Sequence, residues 1–281
     1  VIWYAPYELI AKRALNARAT ELRRRGALIR VGDGFADVHP WPELGDAPLE
    51  EQLALLARGE TTPLTRASLR FAELEGAARA EGRWLFENVT IPESHWPGAD
   101  APAGFDTVKI KCGVDFDAAS LPRGVRVRLD FNATLDAETF ARIAATLPDA
   151  VEFVEDPCPY DATVWRALRA TTGVRLALDR GDAVEGVDVL VVKPAVQELP
   201  RAERELVITS YMDHPFGQLA AAYVAAQSAT SDRCGLVTHV LYEANAFSDR
   251  LHIDGARLVA PRGSGFGFDA LLEAQAWRKL A

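Results

Sequence analysis

The sequence predicts an α/β barrel carrying a smaller α+β lobe, on three observations. From Phe105 onward, short runs rich in Val, Ile and Leu alternate with helical stretches, which is the rhythm of a parallel sheet. Eight such runs at this chain length favour closure into a barrel over an open sheet. Five of the runs end in a charged residue that an ordinary core would reject, and in an α/β barrel the carboxyl ends of the strands converge on the active site.

Residues 1–80 lack the βαβ rhythm and are expected to form the α+β capping lobe. Ile29-Arg30-Val31 reads as a strand entering the turn VGDG, and ADVHPWPELGD as a Pro-rich loop. Leu49 to Gly59 reads as an amphipathic helix stopped by its glycine, and a longer helix runs from Thr65 to Arg83. The barrel is expected over 81–249, with ENVTIPE as its first strand. The others fall at about 105–112, 125–131, 150–155, 174–179, 187–193, 205–210 and 235–240. Helices fit DAETFARIAATL, DATVWRALRAT and FGQLAAAYVAAQS. GVDFDAASLPRG and RGDAVEG fall near or below the ~10–12 residues a parallel crossover needs, so their helices are expected to be vestigial or missing. From about 250 to 281 the pattern dissolves and the chain is expected to return to the first lobe. Gly263-Ser264-Gly265-Phe266-Gly267 reads as a Gly-rich turn, since no dinucleotide pattern surrounds it.

Composition narrows the function classes. A net charge of −9, with no Lys/Arg-rich run, argues against nucleic-acid binding. No apolar run approaches the ~20 residues of a membrane span. Pro6, Glu8 and Lys12 interrupt the N-terminal stretch, which is therefore not expected to be a signal peptide, and Val1 in place of Met suggests processing. Three cysteines without a CxxC pattern indicate neither disulfides nor zinc. A cytoplasmic enzyme acting on a small-molecule carboxylate is the expectation, with neither nucleic acid nor membrane as partner.

The charged strand ends are Lys109 and Lys111 in VKIK, Asp130 in RLDFN, Glu155 in FVEDP, Asp179 in ALD and Lys193 in VVKP. Of 31 basic residues only five are lysine, and three of those five stand at strand ends. Arginine cannot be deprotonated in practice, whereas a lysine in a crowded cationic site can act as a base. Lys109 and Lys111, two apart, point to one side of their strand. Asp130, Glu155 and Asp179 offer an all-oxygen set suited to Mg²⁺, with Mn²⁺ also accepted. Asn132 is placed to orient Asp130. Lys193 lies four strands beyond Lys111, across the barrel mouth. Such a site abstracts a proton α to a carboxylate and stabilises the enediolate on the metal. Ser210 is a candidate for a substrate carboxylate or for helix capping. Asn16 and Arg18 are candidates for facing the substrate from a cap loop, or for the surface. His239 reads as a satisfied structural histidine and His214 as a turn former.

The set VKIK, RLDFN, FVEDP, ALD and VVKP resembles the enolase superfamily, in its muconate cycloisomerase-like subgroup, over essentially the whole chain. ITSYMDHPFGQLAA, RALNAR, HPWPELGD and the short cap make it most similar to the o-succinylbenzoate synthase family within it. The resemblance implies a modified (β/α)₇β barrel of TIM type. It further implies a Mg²⁺-dependent syn elimination of water from 2-succinyl-6-hydroxy-2,4-cyclohexadiene-1-carboxylate in menaquinone biosynthesis. Lys111 is then the base, Lys109 a charge neighbour and Lys193 a cation against the ring. N-succinylamino-acid racemization, dipeptide epimerization and muconate cycloisomerization use the same catalytic set. A barrel that binds a metal without catalysis is the alternative of another class.

Overall fold

The computed structural model describes residues 1–15, 19–179, 181, 183–201, 203–230 and 233–280. At the N-terminus β1 (Ile2–Ile10) pairs antiparallel with β2 (Arg23–Val31) along its whole length. β3 (Gly34–Val38) folds back on β2 through a two-residue turn in which Gly32 takes φ +60°, a conformation open to glycine at no steric cost.

Two helices cover this sheet, α1 (Leu49–Ala57) and α2 (Pro63–Ala80). Thr62 and Thr65 bond reciprocally to each other's backbone N–H at the start of α2, and Pro63 presets its first turn. α2 meets β3 backbone to backbone. A Cβ on Gly34 would stand 1.8 Å from the Ala72 carbonyl oxygen, and Gly76 on the helix lies opposite. Glu75, fully buried on the same helix, accepts the Phe35 N–H at 3.0 Å and is gripped by Arg79, which also reaches Asp269 and the Gly267 carbonyl.

The barrel follows as β4 (Glu93–Ser94), β5 (Thr107–Lys111), β6 (Arg126–Asp130), β7 (Val151–Glu155), β8 (Leu176–Asp179), β9 (Val189–Val192), β10 (Glu205–Ile208) and β11 (Arg233–Cys234). β5 to β10 form one parallel sheet in sequence order. Bridges Trp96↔Val108 and Thr209↔Gly235, with the β11–β4 pair, complete the ring of eight. Side chains alternate strictly across this wall. Leu129, Val154, Leu176, Leu178, Leu190, Val192 and Ile208 face outward into the main core, whereas Phe153, Ala177, Val189, Val191 and Val207 fill the barrel interior. Helices α3 (Ala137–Ala144), α4 (Ala162–Thr172) and α5 (Pro215–Ala226) cover the outer face, the first two begun by the side chains of Asp136 and Asp161.

The barrel class and the helix positions agree with the sequence reading, and two strands are displaced. The first is only Glu93–Ser94, because Pro92 has no ladder N–H and Asn88 turns at φ +58°. The last, expected at 235–240, is Arg233–Cys234, and Thr238–Leu241 curl into a 3₁₀ turn. Its backbone is satisfied by a side chain in place of a ladder: Gln218 Oε1 accepts the His239 N–H at 2.8 Å. Residues 112–125 carry only a short 3₁₀ turn and no α-helix. The described residues of 180–188 are likewise non-helical, and so are those of 193–204, a third bare connection that length alone does not flag.

In the tail, β12 (His252–Asp254) and β13 (Arg257–Val259) form a hairpin on β4, while α6 (Asp269–Glu273) and β14 (Arg278–Lys279) return to the cap, β14 on β1. We propose that residues 1–80 plus the tail form a cap on a barrel of 81–249. Cap and barrel are joined by buried polar ties. Tyr7 donates to Asp37 at 2.6 Å, Asp37 accepts the His214 N–H at 3.1 Å, and Trp41 Nε1 donates to the Tyr211 carbonyl at 2.8 Å. Among the described residues no helix is long and apolar enough to cross a membrane.

Gly34→Ala is expected to destabilise the fold by about 1–3 kcal/mol or more through overpacking. Gly113→Ala, at a site with nothing within 4 Å, serves as the control. Urea unfolding of the two variants checks this: equal midpoints would refute the close approach of β3 and α2.

Candidate active site

One step of the strand repeat beyond the apolar interior, the inward side chains become Lys111, Asp130, Glu155, Asp179, Lys193 and Thr209. All of them line a cavity of about 490 Å³ at the carboxyl mouth of the barrel. Registry sets their neighbours: Lys111 lies opposite Asp130 and Asp130 opposite Glu155.

Lys109 Nζ lies 2.6 Å from Glu155 Oε1 and 3.1 Å from Asp130 Oδ2. Lys111 Nζ lies 3.7 Å from the same Asp130 oxygen, and Lys193 is paired with Asp179. The two lysines of the VKIK strand are driven in opposite directions. Burial alone would depress Lys109, but Asp130, Glu155 and Asp179 outweigh it and hold its ammonium well above the ordinary value. Lys111 is lowered by loss of solvent, and the charges of Lys109 and Lys193 add to the effect against the pull of Asp130 and Glu155. Burial raises Asp130 too, but Lys109 and Lys111 overcome it and keep the carboxylate ionised. Glu155 is pushed up to about 7, by burial first and then by Asp130 and Asp179, against the pull of Lys109 and Lys193.

The donor set fits a hard divalent cation. Three buried or half-buried carboxylates from adjacent strands share one wall and offer hard oxygen donors to the cavity. Each is turned toward a lysine. Among the described residues no three His, Cys, Asp or Glu groups are arranged as a ready metal site.

Asn132 lines the cavity at φ +51°, and its backbone N–H, not its amide, orients Asp130 Oδ1 at 3.0 Å. Ser210 lines it as well, 2% exposed, sharing a hydrogen bond with Thr238, whose hydroxyl donates to Gln218 at 3.3 Å. Asn16 and Arg18 lie outside the described residues. His239 bonds Gln218 and is not part of the cavity wall, whereas His214 caps α5 by accepting the Phe216 N–H at 3.2 Å.

Sequence reasoning missed four contributors. Asp156, read as part of an EDP turn, lines the cavity at φ +43°, accepts the Asp179 N–H at 3.2 Å, and is raised by burial and by Asp179, Glu155 and Asp130. His95 lies one residue past β4, with no periodicity to mark it. Arg13 and Leu44 come from the cap, within the RALNAR and HPWPELGD stretches. Asn132, Ala133, Asp156 and Met212 all line the cavity with left-handed φ, a concentration of sparsely populated backbone typical of functional sites.

Comparison with known proteins agrees with this architecture. Residues 2–78 match the family model described as the N-terminal domain of O-succinylbenzoate synthase. An o-succinylbenzoate synthase of Bdellovibrio bacteriovorus is 34% identical over 99% of this chain and 98% of its own. Among solved structures, an N-succinyl Arg/Lys racemase from Bacillus cereus superposes with a TM-score of 0.76 at 12% identity, over 98% of this chain and 97% of its own. A putative mandelate racemase/muconate lactonizing enzyme from Roseovarius nubinhibens, complexed with magnesium, gives 0.72 at 18% identity over 98% of both chains. At these low identities the superpositions establish a common fold with those enzymes. Identity over nearly the full length of both chains goes further: this chain belongs to the o-succinylbenzoate synthase family, a family of lyases.

Proposed function

We propose that the chain dehydrates 2-succinyl-6-hydroxy-2,4-cyclohexadiene-1-carboxylate to o-succinylbenzoate, as a cytoplasmic step of menaquinone biosynthesis. The observation that carries this reading is the placement of Lys109 and Lys111 on one strand of one cavity, Lys109 bonded to two carboxylates and raised by them, Lys111 farther from Asp130 and lowered by burial. Asp130, Glu155 and Asp179 would hold Mg²⁺, or Mn²⁺ with the same oxygen preference, and the bound ion would supply Lewis-acid charge to the substrate carboxylate.

The chain's own groups supply the rest. Lys111 Nζ takes the proton from the ring carbon α to the carboxylate. The electron pair moves into the ring, the neighbouring C–O bond breaks, and the proton returns from Lys111 to the departing hydroxide as water. One lysine on one face of the ring serves both transfers, which makes the elimination syn. Lys109 keeps Asp130 ionised, opposes the upward push on Glu155, and adds fixed positive charge beside the carboxylate. Lys193, just past the end of β9 across the mouth, sets an ammonium against the ring. Asp179 holds that ammonium in place. Aromatization of the ring favours product, so these electrostatic contributions act on a reaction already downhill.

N-Succinylamino-acid racemization is the second reading. Lys111 and Lys193 enter the cavity from strands four apart, the placement that two-base proton transfer requires.

The wild type is expected to convert the cyclohexadiene to o-succinylbenzoate in a Mg²⁺-dependent ultraviolet assay, and a chelator should abolish turnover until Mg²⁺ is restored. Lys111→Arg keeps the charge but cannot surrender a proton, so kcat/KM is expected to fall by about 10²–10⁴-fold, the range for a general base. Survival of activity in that variant would remove Lys111 from the chemistry. Because the base acts deprotonated, kcat/KM should rise with pH to an inflection below the ordinary lysine value of 10.5. A flat profile would contradict that role. If the wild type leaves the cyclohexadiene untouched but exchanges the α-hydrogen of N-succinylamino acids with deuterium, the racemase reading replaces the synthase.

A further inference from the structure

The cavity wall carries an imidazole that the proposed mechanism does not use. His95 follows β4 directly, its backbone N–H bonded to the Cys234 carbonyl at 2.9 Å, and its ring is 4% exposed. On one side the ring meets Arg128, a fully buried guanidinium stacked over Phe153 and clamped by Glu152 at 2.7 and 3.2 Å. Nη1 of the same arginine reaches the Arg233 carbonyl at 2.8 Å and His95 Nδ1 at 3.2 Å. A guanidinium has donors and no acceptor, so His95 Nδ1 must present its lone pair. The proton of the ring is then fixed on Nε2. Burial and the positive charges of Arg128 and Lys109 all oppose a second proton, so the ring stays neutral.

Nε2 has no partner among the described residues, yet it is not one of the sealed, unpaired polar atoms of the interior. The ring lines the cavity, and so does Gly235 beside it. A Cβ on Gly235 would stand 3.0 Å from His95 Cε1 and 2.6 Å from Thr209 Cγ2, so the missing side chain leaves the imidazole edge uncovered. Of the nearby hydroxyls, Ser210 is engaged with Thr238 and Thr238 with Gln218, whereas Thr209 Oγ1 is sealed in the interior without a partner. The cavity therefore receives from this wall an uncharged N–H donor held in one tautomer.

The substrate of the proposed reaction has three kinds of oxygen for which this donor could compete. Its carboxylates are better served by the lysines and a hard cation, and its hydroxyl leaves from beside Lys111. The ketone of the succinyl side chain is uncharged and matches a neutral donor. We propose that His95 Nε2–H binds this ketone oxygen and thereby selects substrates carrying an acyl, not an alkyl, side chain; the inference rests on the synthase reading. The ketone lies outside the conjugation path of the departing proton and hydroxide, so the contact is made equally in ground and transition states. Its loss should raise KM and leave kcat nearly unchanged.

Two substitutions separate the faces of the ring. His95→Gln places an amide N–H near the position of Nε2, whereas His95→Asn keeps an acceptor near Nδ1 for Arg128 but cannot reach the cavity. The probes are o-succinylbenzoate and its analogue with a methylene in place of the ketone, compared as inhibitors of Mg²⁺-loaded enzyme. The wild type should bind the ketone compound about 5–10-fold more tightly, the size of one neutral hydrogen bond. His95→Asn should erase that preference and raise KM by a similar factor with kcat within about twofold, while His95→Gln retains most of both. Equal binding of the two compounds by the wild type overturns the proposal without any variant. An undiminished preference in His95→Asn, confirmed as folded by its thermal melt, overturns it as well. Wild-type turnover of the cyclohexadiene is scored separately, so failure of the synthase reading is distinguishable from failure of the role given to His95.

Discussion

The contact on which the site depends is the Lys109 ammonium set between Glu155 and Asp130. Like-charged carboxylates from adjacent strand ends would otherwise face each other across a buried wall, and burying an unpaired charge costs several kcal/mol. One cation from the next strand neutralises both, at 2.6 and 3.1 Å, and in exchange its own proton becomes very hard to remove. That makes Lys109 useless as a base. The task falls to Lys111, two residues on and farther from the same acid, where the Lys109 charge is repulsive. A division of labour between two identical side chains thus follows from a spacing of two and a difference of a few tenths of an ångström to Asp130.

The alternation of the strands explains why so much of this site was legible in the sequence. Phe153 and Glu155, Ala177 and Asp179, Val191 and Lys193 are pairs two apart, an interior filler followed by a group at the mouth. A charged residue at the end of a continuous apolar run marks such a pair without any structure. His95 lacks that signal because β4 is two residues long and places no apolar run before it. Asp156 was hidden differently, since in EDP it faces a cavity only because its φ of +43° turns it there, and no residue type reports that angle in advance. The last strand escaped because Leu236, Val237 and Val240 look like a strand, yet the Gln218 side chain takes over the backbone bonding that a ladder would have supplied. Connection length identified two crossovers without helices. The third, after Lys193, is long enough for a helix and makes none among its described residues.

Backbone strain and chemistry coincide at the mouth. Residues held in left-handed φ without being glycine cost on the order of 1–3 kcal/mol each where the side chain is disfavoured there, least for Asn and Asp. At Asn132 the return is visible: the turn aims a backbone N–H at Asp130 Oδ1 and fixes which oxygen faces the lysines. The apolar layers beneath and the helices outside hold these turns in place, so the stability of the barrel sustains a geometry that short peptides would not keep.

The ties between cap and barrel have a mechanical consequence for traffic. Tyr7, Asp37, Trp41 and Tyr211 lock the two lobes at a buried seam, so a swing of the cap as a rigid body would break several bonds together. At the cavity the backbones join as well, the Lys12 N–H donating to the Leu241 carbonyl at 3.0 Å and Ala11 bridging Tyr242. Arg13 donates to the Pro97 carbonyl at 3.3 Å in an exposed position, and Gly98 lies directly beneath that guanidinium. A solvent-exposed bond of that length is cheap to open and close. The cap is otherwise a fixed lintel over the cavity mouth, and a substrate meets a doorway whose frame is already set.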